Sequence, residues 1–269
     1  YTVPSCVTKI NAYEFQNCTS LVSVTLPETI TEIGNYAFDG CTSLSSINIP
    51  NGVTKLGEHS FDECKSLTTI TLPESITTLG RGVFYGCTAL ESADLSACTL
   101  TILPNSSVGE MNGIFQGCSN LKEVKMPKGG VTLLSGTFKD CTALTGVVLP
   151  EGVKTVGHSC FLNCTALQSV TLPEGLETIG YQAFRGCKAL DNVVLPSTIT
   201  VLDKEVFRYC SSLSSITIPG GVTRIDDMTF AECTSLSSVS VPSGVTYLGN
   251  YAFEDCPMAS FTAPAELNT

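Results

Sequence analysis

One histidine and two nearby cysteines are the residues whose types and spacing could support catalysis or metal binding. His158 precedes Cys160 by two residues and Cys164 by six. A neighbouring base can activate a cysteine nucleophile, and His and Cys are common zinc ligands. However, a fourth ligand and a Cys-x-x-Cys pair are absent, and Cys160 occupies a repeat position that Ala37 fills elsewhere. We therefore expect Cys160 to pack inward and His158 to be exposed, with no catalytic or metal site here.

Six charged residues form the remaining candidate site, which would bind a partner rather than catalyse a reaction. They are Glu91, Asp94, Lys122, Glu123, Lys125 and Lys128. The sequence pattern places the first five on neighbouring coils beside the most irregular part of the chain, with Lys128 nearby. The alternative interpretation is that opposite charges on adjacent strands simply pair with each other, which contributes little to stability at an exposed surface.

The positions of these residues follow from a repeat that runs through the chain. Residues 38–61 carry its skeleton, F-x-x-C-x-x-L-x-x-I-x-I-P-x-x-V-x-x-L-G-x-x-x-F. Eleven Phe-x-x-Cys units occur, and their cysteines are 23 residues apart except for one step of 31, between Cys87 and Cys118. A fixed period in the twenties is typical of a solenoid, whose coils stack to bury one continuous core.

Each part of the repeat has a physical role. Residues 47–49 alternate as in a half-buried strand, and Pro50 ends that strand because it cannot donate to a ladder. Val53 and Leu56 return the chain along a second apolar edge. Residues 35–38, Asn-Tyr-Ala-Phe, predict one short helical or 3₁₀ turn, which is too short to be stable without packing.

Eleven of the fourteen cysteines fall at one repeat position and should form a column that points into the core. A disulfide requires Cβ atoms about 3.5–4.5 Å apart, whereas equivalent residues of adjacent coils lie about 4.8 Å apart. We therefore predict buried free thiols that act as small apolar groups. The residue before each cysteine is often Gly, Asn or Asp, which predicts a left-handed backbone there. The predicted positions are Asn17, Gly40, Gly86, Gly117, Asp140, Asn163, Gly186 and Asp255.

The unit closely resembles the BspA-like, or treponemal-type, leucine-rich repeat over essentially the whole chain. The resemblance implies the α/β class, as a right-handed solenoid with a parallel β-sheet on its concave face and short strands and helical or 3₁₀ turns on its convex face. It also implies a surface or secreted protein, since known members are mostly such proteins of bacteria and some protists, with adhesion as the usual role. We predict one solenoid domain over residues 1–269, with about eleven coils of 23 residues.

The coil with residues 90–114 departs from this regularity, because its Cys87-to-Cys118 step is eight residues longer than the others. Residues 90–104 resemble the commoner leucine-rich repeat, L-x-x-L-x-L-x-x-N-x-L, with Cys98 where asparagine usually stands. We therefore predict that the extra residues widen this coil and that the polar stretch 105–113 bulges outward. In the next coil, residues 129–131 shift the apolar pattern by one position.

The composition disfavours several classes of partner. Acidic residues outnumber basic ones by 25 to 14, which gives a net charge of −11. Nucleic acids and anionic membranes both require clustered Lys and Arg. No apolar run approaches the roughly 18 residues of a membrane span, so we expect no membrane insertion. The chain begins inside a repeat and shows no signal peptide, so we expect any export signal to have been removed.

We predict a non-enzymatic, adhesin-like protein, at the cell surface or secreted, that binds a host or extracellular protein or a glycan without a cofactor. The alternative is a structural spacer or self-assembling module whose solenoids associate end to end. The sheet face is mostly Ser and Thr and lacks the Trp, Tyr and Arg anchors of protein interfaces, which favours the spacer, whereas the charged coil favours binding. Four tyrosines near the turns could contact a partner or pack along neighbouring coils. They are Tyr13, Tyr36, Tyr181 and Tyr251.

Overall fold

The computed structural model describes residues 1–100, 102–103, 113–128, 132–133 and 135–258. Most coils contribute two short strands and a segment of turns. The strands with the I-x-I motif form the Ile ladder, and those at the second apolar edge form the Leu ladder. The Ile ladder contains β2 (Ser23–Val24), β4 (Ser46–Ile47), β6 (Thr69–Thr71), β8 (Ser92–Asp94), β10 (Glu123–Lys125), β12 (Gly146–Val148), β14 (Ser169–Thr171), β17 (Ser215–Thr217) and β19 (Ser238–Ser240). The Leu ladder contains β1 (Lys9–Ile10), β3 (Glu32–Ile33), β5 (Lys55–Leu56), β7 (Thr78–Leu79), β9 (Ile102–Leu103), β11 (Thr132–Leu133), β13 (Thr155–Val156), β15 (Thr178–Ile179), β16 (Val201–Leu202), β18 (Arg224–Ile225) and β20 (Tyr247–Leu248).

Strands of adjacent coils pair in parallel, and their register follows the repeat. Glu32 of β3 lies opposite Lys55 of β5, 23 residues later. Ser92 of β8 lies opposite Glu123 of β10, 31 residues later, so the eight extra residues of the irregular coil lie between two strands that keep the regular pairing. The predicted bulge at 105–113 falls, apart from Gly113, outside the described residues, as does the pattern shift at 129–131.

The ladders are interrupted at a few boundaries between coils in the described part of the chain. In the Ile ladder, β6, β8 and β10 form one sheet and β12 pairs with β14, but β10 does not pair with β12. In the Leu ladder, β16 does not pair with β18. At that second boundary Asp226 stands where most coils have glycine, but Asp203 does so one coil earlier, where β15 and β16 still pair.

The described residues contain no helix, so the predicted helical or 3₁₀ turns are wrong. The fold class of the described residues is therefore all-β rather than α/β. A helix would direct each N–H along its own segment, toward the residue four positions earlier. Here the N–H groups of Tyr36, Phe38 and Gly40 each donate to a carbonyl of the following coil, at 2.8 Å. Tyr36 and Gly40 both have left-handed backbones, with φ of 56° and 69°. The turns therefore form a third ladder between coils, which we call the turn ladder.

The predicted left-handed positions are confirmed. All eight residues expected before the column cysteines have positive φ, between 56° for Asp255 and 77° for Gly117. A second left-handed column, two residues before the phenylalanines, was not predicted and includes Tyr36, His59 and Glu205. Because most of its members are not glycine, the residue types did not indicate it.

A column of stacked phenylalanines forms the centre of the core. Neighbouring rings from Phe15 to Phe253 lie 5.0–5.8 Å apart between centroids. All fourteen cysteines lie in the described residues and are free thiols. The column cysteines are buried apart from Cys256, which is partly buried, and Cys18, which is exposed and corrects the prediction for that residue.

The column cysteines also make hydrogen bonds that the sequence did not predict. Each thiol from the second coil onward donates to the phenylalanine carbonyl of the preceding coil, as Cys64 Sγ does to Phe38 at 3.2 Å. In the irregular coil, Cys98 is buried and its thiol lies 3.5 Å from the carbonyl of Pro73. Burial raises the pKa of Cys41 and of Cys98 to about 11, so these thiols remain protonated at neutral pH.

Candidate binding surface

The predicted charged residues lie on or beside β8 and β10, which pair directly. Ser92 and Lys125 illustrate the register: Ser92 lies opposite Glu123, and Lys125 lies opposite Asp94. The central residues of the two strands, Ala93 and Val124, are buried in the core. Because side chains alternate along a strand, the residues on either side of them face outward.

Two ion pairs join the irregular coil to the next one. Lys122 Nζ lies 3.1 Å from Glu91 Oε2, and Lys125 Nζ lies 3.2 Å from Asp94 Oδ2. The lysine side chains are 60% and 59% exposed, so both pairs are largely solvated and contribute little to stability.

Asp94 is the most firmly held of these charged groups. Its Oδ1 accepts hydrogen bonds from the Ser96 hydroxyl at 2.6 Å and from the Ser96 backbone N–H at 3.0 Å. These two hydrogen bonds, and after them the Lys125 ammonium, hold the pKa of Asp94 below its usual value. Asp94 in turn raises the pKa of Lys125. Both partners are therefore charged at neutral pH.

Five of the six predicted residues lie on or beside the paired strands β8 and β10, and Lys128, just after Pro127, lines the same groove as Glu123 and Lys125. The alternative interpretation, charge pairing across strands, accounts for Glu91, Lys122, Asp94 and Lys125. Glu123 and Lys128 take part in no ion pair within the described residues. These two are the charges that remain available to a partner.

A groove of about 660 Å³ lies on this face where β10 and β12 are unpaired. Its charged lining residues are Glu123, Lys125, Lys128 and Glu151, and its floor includes Gly146 and Val148. Sequence analysis did not predict this groove. A signal was nevertheless present, because Gly146 stands at a repeat position where the equivalent residue of every other coil carries a side chain.

The rest of the Ile ladder face has the predicted Ser/Thr character. Thr69 and Thr71 are exposed on either side of buried Ile70. Two smaller grooves, of about 450 and 430 Å³, lie farther along the same face and contain no charged residue. The charged groove beside the irregular coil therefore differs from the other two in chemistry as well as in size.

A second polar cluster, on the turn ladder, was missed. Glu205 accepts from the Tyr181 hydroxyl at 3.2 Å and from Gln182 Nε2 at 3.2 Å. It also pairs with Arg185 at 3.4 Å and with Arg208 at 3.3 Å. Arg185 and Arg208 are 23 residues apart and so occupy the same position of adjacent coils. This repetition of arginine is the sequence signal that could have indicated the cluster.

Three of the four singled-out tyrosines contact neighbouring coils, as the packing interpretation expects. The rings of Tyr13 and Tyr36 stack at 5.2 Å, and that of Tyr36 stacks on His59 at 5.1 Å. Tyr181 contacts Glu205 of the following coil, whereas Tyr251 is 61% exposed.

The residues considered first for chemistry are not arranged for it. His158 is exposed and Cys160 is buried, as predicted. Burial raises the pKa of the Cys160 thiol to about 12, so it is not a thiolate at neutral pH. Within the described ranges, no group of three or more His, Cys, Asp or Glu side chains could hold a metal ion. Nor does any helix in those ranges have the length and apolarity to cross a membrane.

The chain is similar to several proteins of solved structure. A leucine-rich repeat protein from Bacteroides ovatus is 26% identical, with 96% of this chain and 85% of that one covered and a TM-score of 0.51. A leucine-rich cell surface protein from Faecalibacterium prausnitzii is 25% identical, with 89% and 86% covered and a TM-score of 0.43. A leucine-rich repeat protein from T. pallidum is 27% identical, with 79% and 76% covered and a TM-score of 0.39. No curated protein matches the chain.

The family model of the BspA-type leucine-rich repeat region matches residues 1–110, 99–214 and 158–269. Together these segments cover the whole sequence. The match agrees with the Phe-x-x-Cys period, the parallel ladders and the buried cysteine column. The chain therefore belongs to the BspA-type leucine-rich repeat family.

Proposed function

We propose that this chain is a non-enzymatic binding protein, at the cell surface or secreted, whose single solenoid presents the Ile ladder face to a host or extracellular protein or a glycan. The six charged residues beside the irregular coil form its binding surface. The observation behind the proposal is that Glu123 and Lys128, unpaired within the described residues, line a charged groove on an otherwise Ser/Thr-rich face.

The family and the chemistry of the face both support this proposal. BspA-type repeats are typical of surface proteins, and repeat solenoids use their extended faces for binding. The lysines of the two ion pairs are largely exposed, so a partner can reach them despite their contacts with Glu91 and Asp94. Exposed charges of this kind can select a partner by electrostatic complementarity without contributing to the core.

The test is a binding screen of the purified chain against extracellular matrix proteins, host cell-surface proteins and glycans. The variant with Lys122→Ser and Lys125→Ser should lose saturable binding while its circular dichroism and thermal unfolding are retained. The matched control is Lys154→Ser, because Lys154 forms an equally exposed ion pair, with Glu177 at 2.9 Å, beside the Leu ladder. This control should bind as the wild type does.

Two results would contradict the proposal in different ways. Binding that is unaffected by the double substitution would remove the charged surface as the binding site. Absence of binding to every class of probe would favour the second candidate, a structural spacer, which the Ser/Thr-rich face and the absence of Trp from the chain support. A spacer that self-assembles should then form concentration-dependent oligomers in gel filtration.

A further inference from the structure

We infer that the groove between β10 and β12 receives an arginine side chain of a partner protein, with Glu123 as the carboxylate that binds the guanidinium. This inference rests on the proposed function, because it assigns a partner chemistry to that binding surface. It depends on three properties of the groove: its shape, its apolar floor and its one uncompensated charge.

The shape follows from Gly146. The equivalent positions of the other coils carry side chains: Ser23, Ser46, Thr69, Ser92, Glu123, Ser169, Asn192, Ser215 and Ser238. Glu123 therefore has a serine beside it on β8 but an empty position beside it on β12. The absence of pairing between β10 and β12 adds to this opening. The result is a groove of about 660 Å³, which is large enough for a long side chain.

The floor of the groove is apolar. Val148 is 66% exposed, although most equivalent positions carry a polar residue such as Thr71 or Thr171. Beside it, Gly146 leaves the strand uncovered, and Met126 contributes a further apolar surface. Long basic side chains place their methylene stems on such surfaces while the charged head stays in contact with polar groups.

The charged residues that line the groove carry an excess of one negative charge. Lys125 is already paired with Asp94. Of the other three, Glu123, Lys128 and Glu151, none forms an ion pair within the described residues, so two carboxylates stand against one ammonium. Glu123, which lies beside the empty position at Gly146, is the carboxylate that selects a cation. Arginine fits better than lysine because its planar guanidinium can bind a carboxylate through two parallel hydrogen bonds and is more weakly hydrated.

Methionine methyl groups provide a direct readout, because Met126 lines the groove. The chain has four methionines, so a sample labelled with carbon-13 at these methyls gives few signals, and Met126→Leu assigns the relevant one. Titration with the peptide acetyl-Gly-Arg-Gly-amide should move the Met126 signal saturably. The same peptide with Lys should bind more weakly, and the peptide with Glu should cause no movement. The signal of Met228, on the turn ladder, should stay in place throughout.

Two variants and two controls locate the effect. Glu123→Gln should weaken the response to the arginine peptide about tenfold, since it removes the charge from the hydrogen bond. Gly146→Ser should abolish it by filling the groove, and the fold should survive because the added Cβ would lie 3.4 Å from Ser169 Oγ, an ordinary contact. The matched controls are Gly220→Ser, where an added Cβ meets nothing within 4 Å, and the exposed Glu74→Gln. Both should respond as the wild type does.

The outcomes separate this inference from the proposed function. An unmoved Met126 signal, or an equal response in Gly146→Ser, would overturn the arginine site. If a partner found in the screen binds Gly146→Ser normally but not the Lys122/Lys125 variant, the proposed function stands and the groove assignment is wrong. If the arginine peptide shifts Met126 but no extracellular partner is found, the groove assignment stands and the proposed function is wrong.

Discussion

Two polar clusters of this chain use similar residues at different depths. On the Ile ladder, Lys122 and Lys125 each contact one carboxylate and are 60% and 59% exposed. On the turn ladder, Glu205 is only 16% exposed and is contacted by Tyr181, Gln182 and two arginines. The first cluster consists of separate pairs in solvent, whereas the second is one network centred on Glu205, in which Arg208 also pairs with Glu232 at 3.2 Å.

The difference shows that the position of a charge within the coil decides whether it is available to a partner. A half-buried network is strengthened by the lower local dielectric, and removal of one member leaves several groups unsatisfied. Solvated pairs lack both properties. The turn-ladder cluster contains the Tyr and Arg types that dominate interfaces, yet its hydrogen-bonding groups are largely used within the chain. The Ile-ladder cluster contains poorer anchor types, but Glu123 remains unused.

The largest effect that separates the two clusters should come from Glu205→Gln. The substitution keeps the size of the side chain but removes the charge that Arg185 and Arg208 share. We expect the free energy of unfolding to fall by about 1–3 kcal/mol, since the partly buried Arg185 loses its carboxylate and Arg208 keeps only Glu232. Urea unfolding followed by circular dichroism measures this loss.

The matched control on the Ile ladder is Glu91→Gln, which breaks the exposed pair with Lys122. Its unfolding free energy should change by less than about 0.5 kcal/mol. Equal losses for the two variants would show that burial does not distinguish the clusters.

A smaller effect should come from Tyr181→Phe. The Tyr181 hydroxyl donates to Glu205 at 3.2 Å and accepts from Gln182 Nε2 at 2.8 Å. Loss of these bonds should lower the unfolding free energy by about 0.5–1.5 kcal/mol. Tyr251→Phe serves as the control, because Tyr251 is 61% exposed, and it should unfold like the wild type. If the unfolding free energy falls equally in both variants, the hydroxyl of Tyr181 is not part of a stabilising network.

The fold could be predicted where residue types determine backbone geometry locally. The Phe-x-x-Cys period indicated the parallel register, and glycine, asparagine and aspartate indicated the left-handed turns before the cysteines. The turn ladder could not be predicted in the same way. Its hydrogen bonds run from residues such as Tyr36 and Phe38 to the next coil, whereas the local sequence Asn-Tyr-Ala-Phe is compatible with a helical turn. The backbone conformation of this segment was therefore determined by its hydrogen-bond partners in the next coil, which the local sequence does not show.

The candidate site could be predicted only in part, for a related reason. Comparison of repeat positions raised charge pairing between adjacent strands as the alternative, and Lys125 and Asp94, which occupy the same position of adjacent coils, do pair. It missed the contact of Tyr181 with Glu205, which are 24 residues apart and so occupy different positions. It also missed the groove, because the absence of pairing between β10 and β12 depends on how whole coils stack.

The smallest expected effect is the pH dependence of the Ile-ladder cluster, which depends on Asp94. Hydrogen bonds from Ser96 and the charge of Lys125 lower the pKa of Asp94 from its ordinary value of 3.8. A carboxyl whose pKa is lower in the folded state stabilises the fold above its unfolded pKa, and this contribution is lost as the pH falls through the folded pKa. The unfolding free energy of the wild type should therefore fall more steeply below pH 3.8 than that of Asp94→Asn.

Urea unfolding at a series of acidic pH values measures this difference. The wild type should exceed Asp94→Asn in stability at neutral pH, and the two curves should converge under the most acidic conditions. Asp191→Asn removes an exposed carboxylate that forms no ion pair among the described residues, and its curve should stay parallel to that of the wild type. If the Asp94→Asn curve also stays parallel, the hydrogen bonds from Ser96 do not hold Asp94 in solution. The Ile-ladder charges would then be mobile, in contrast to the fixed carboxylate of Glu205.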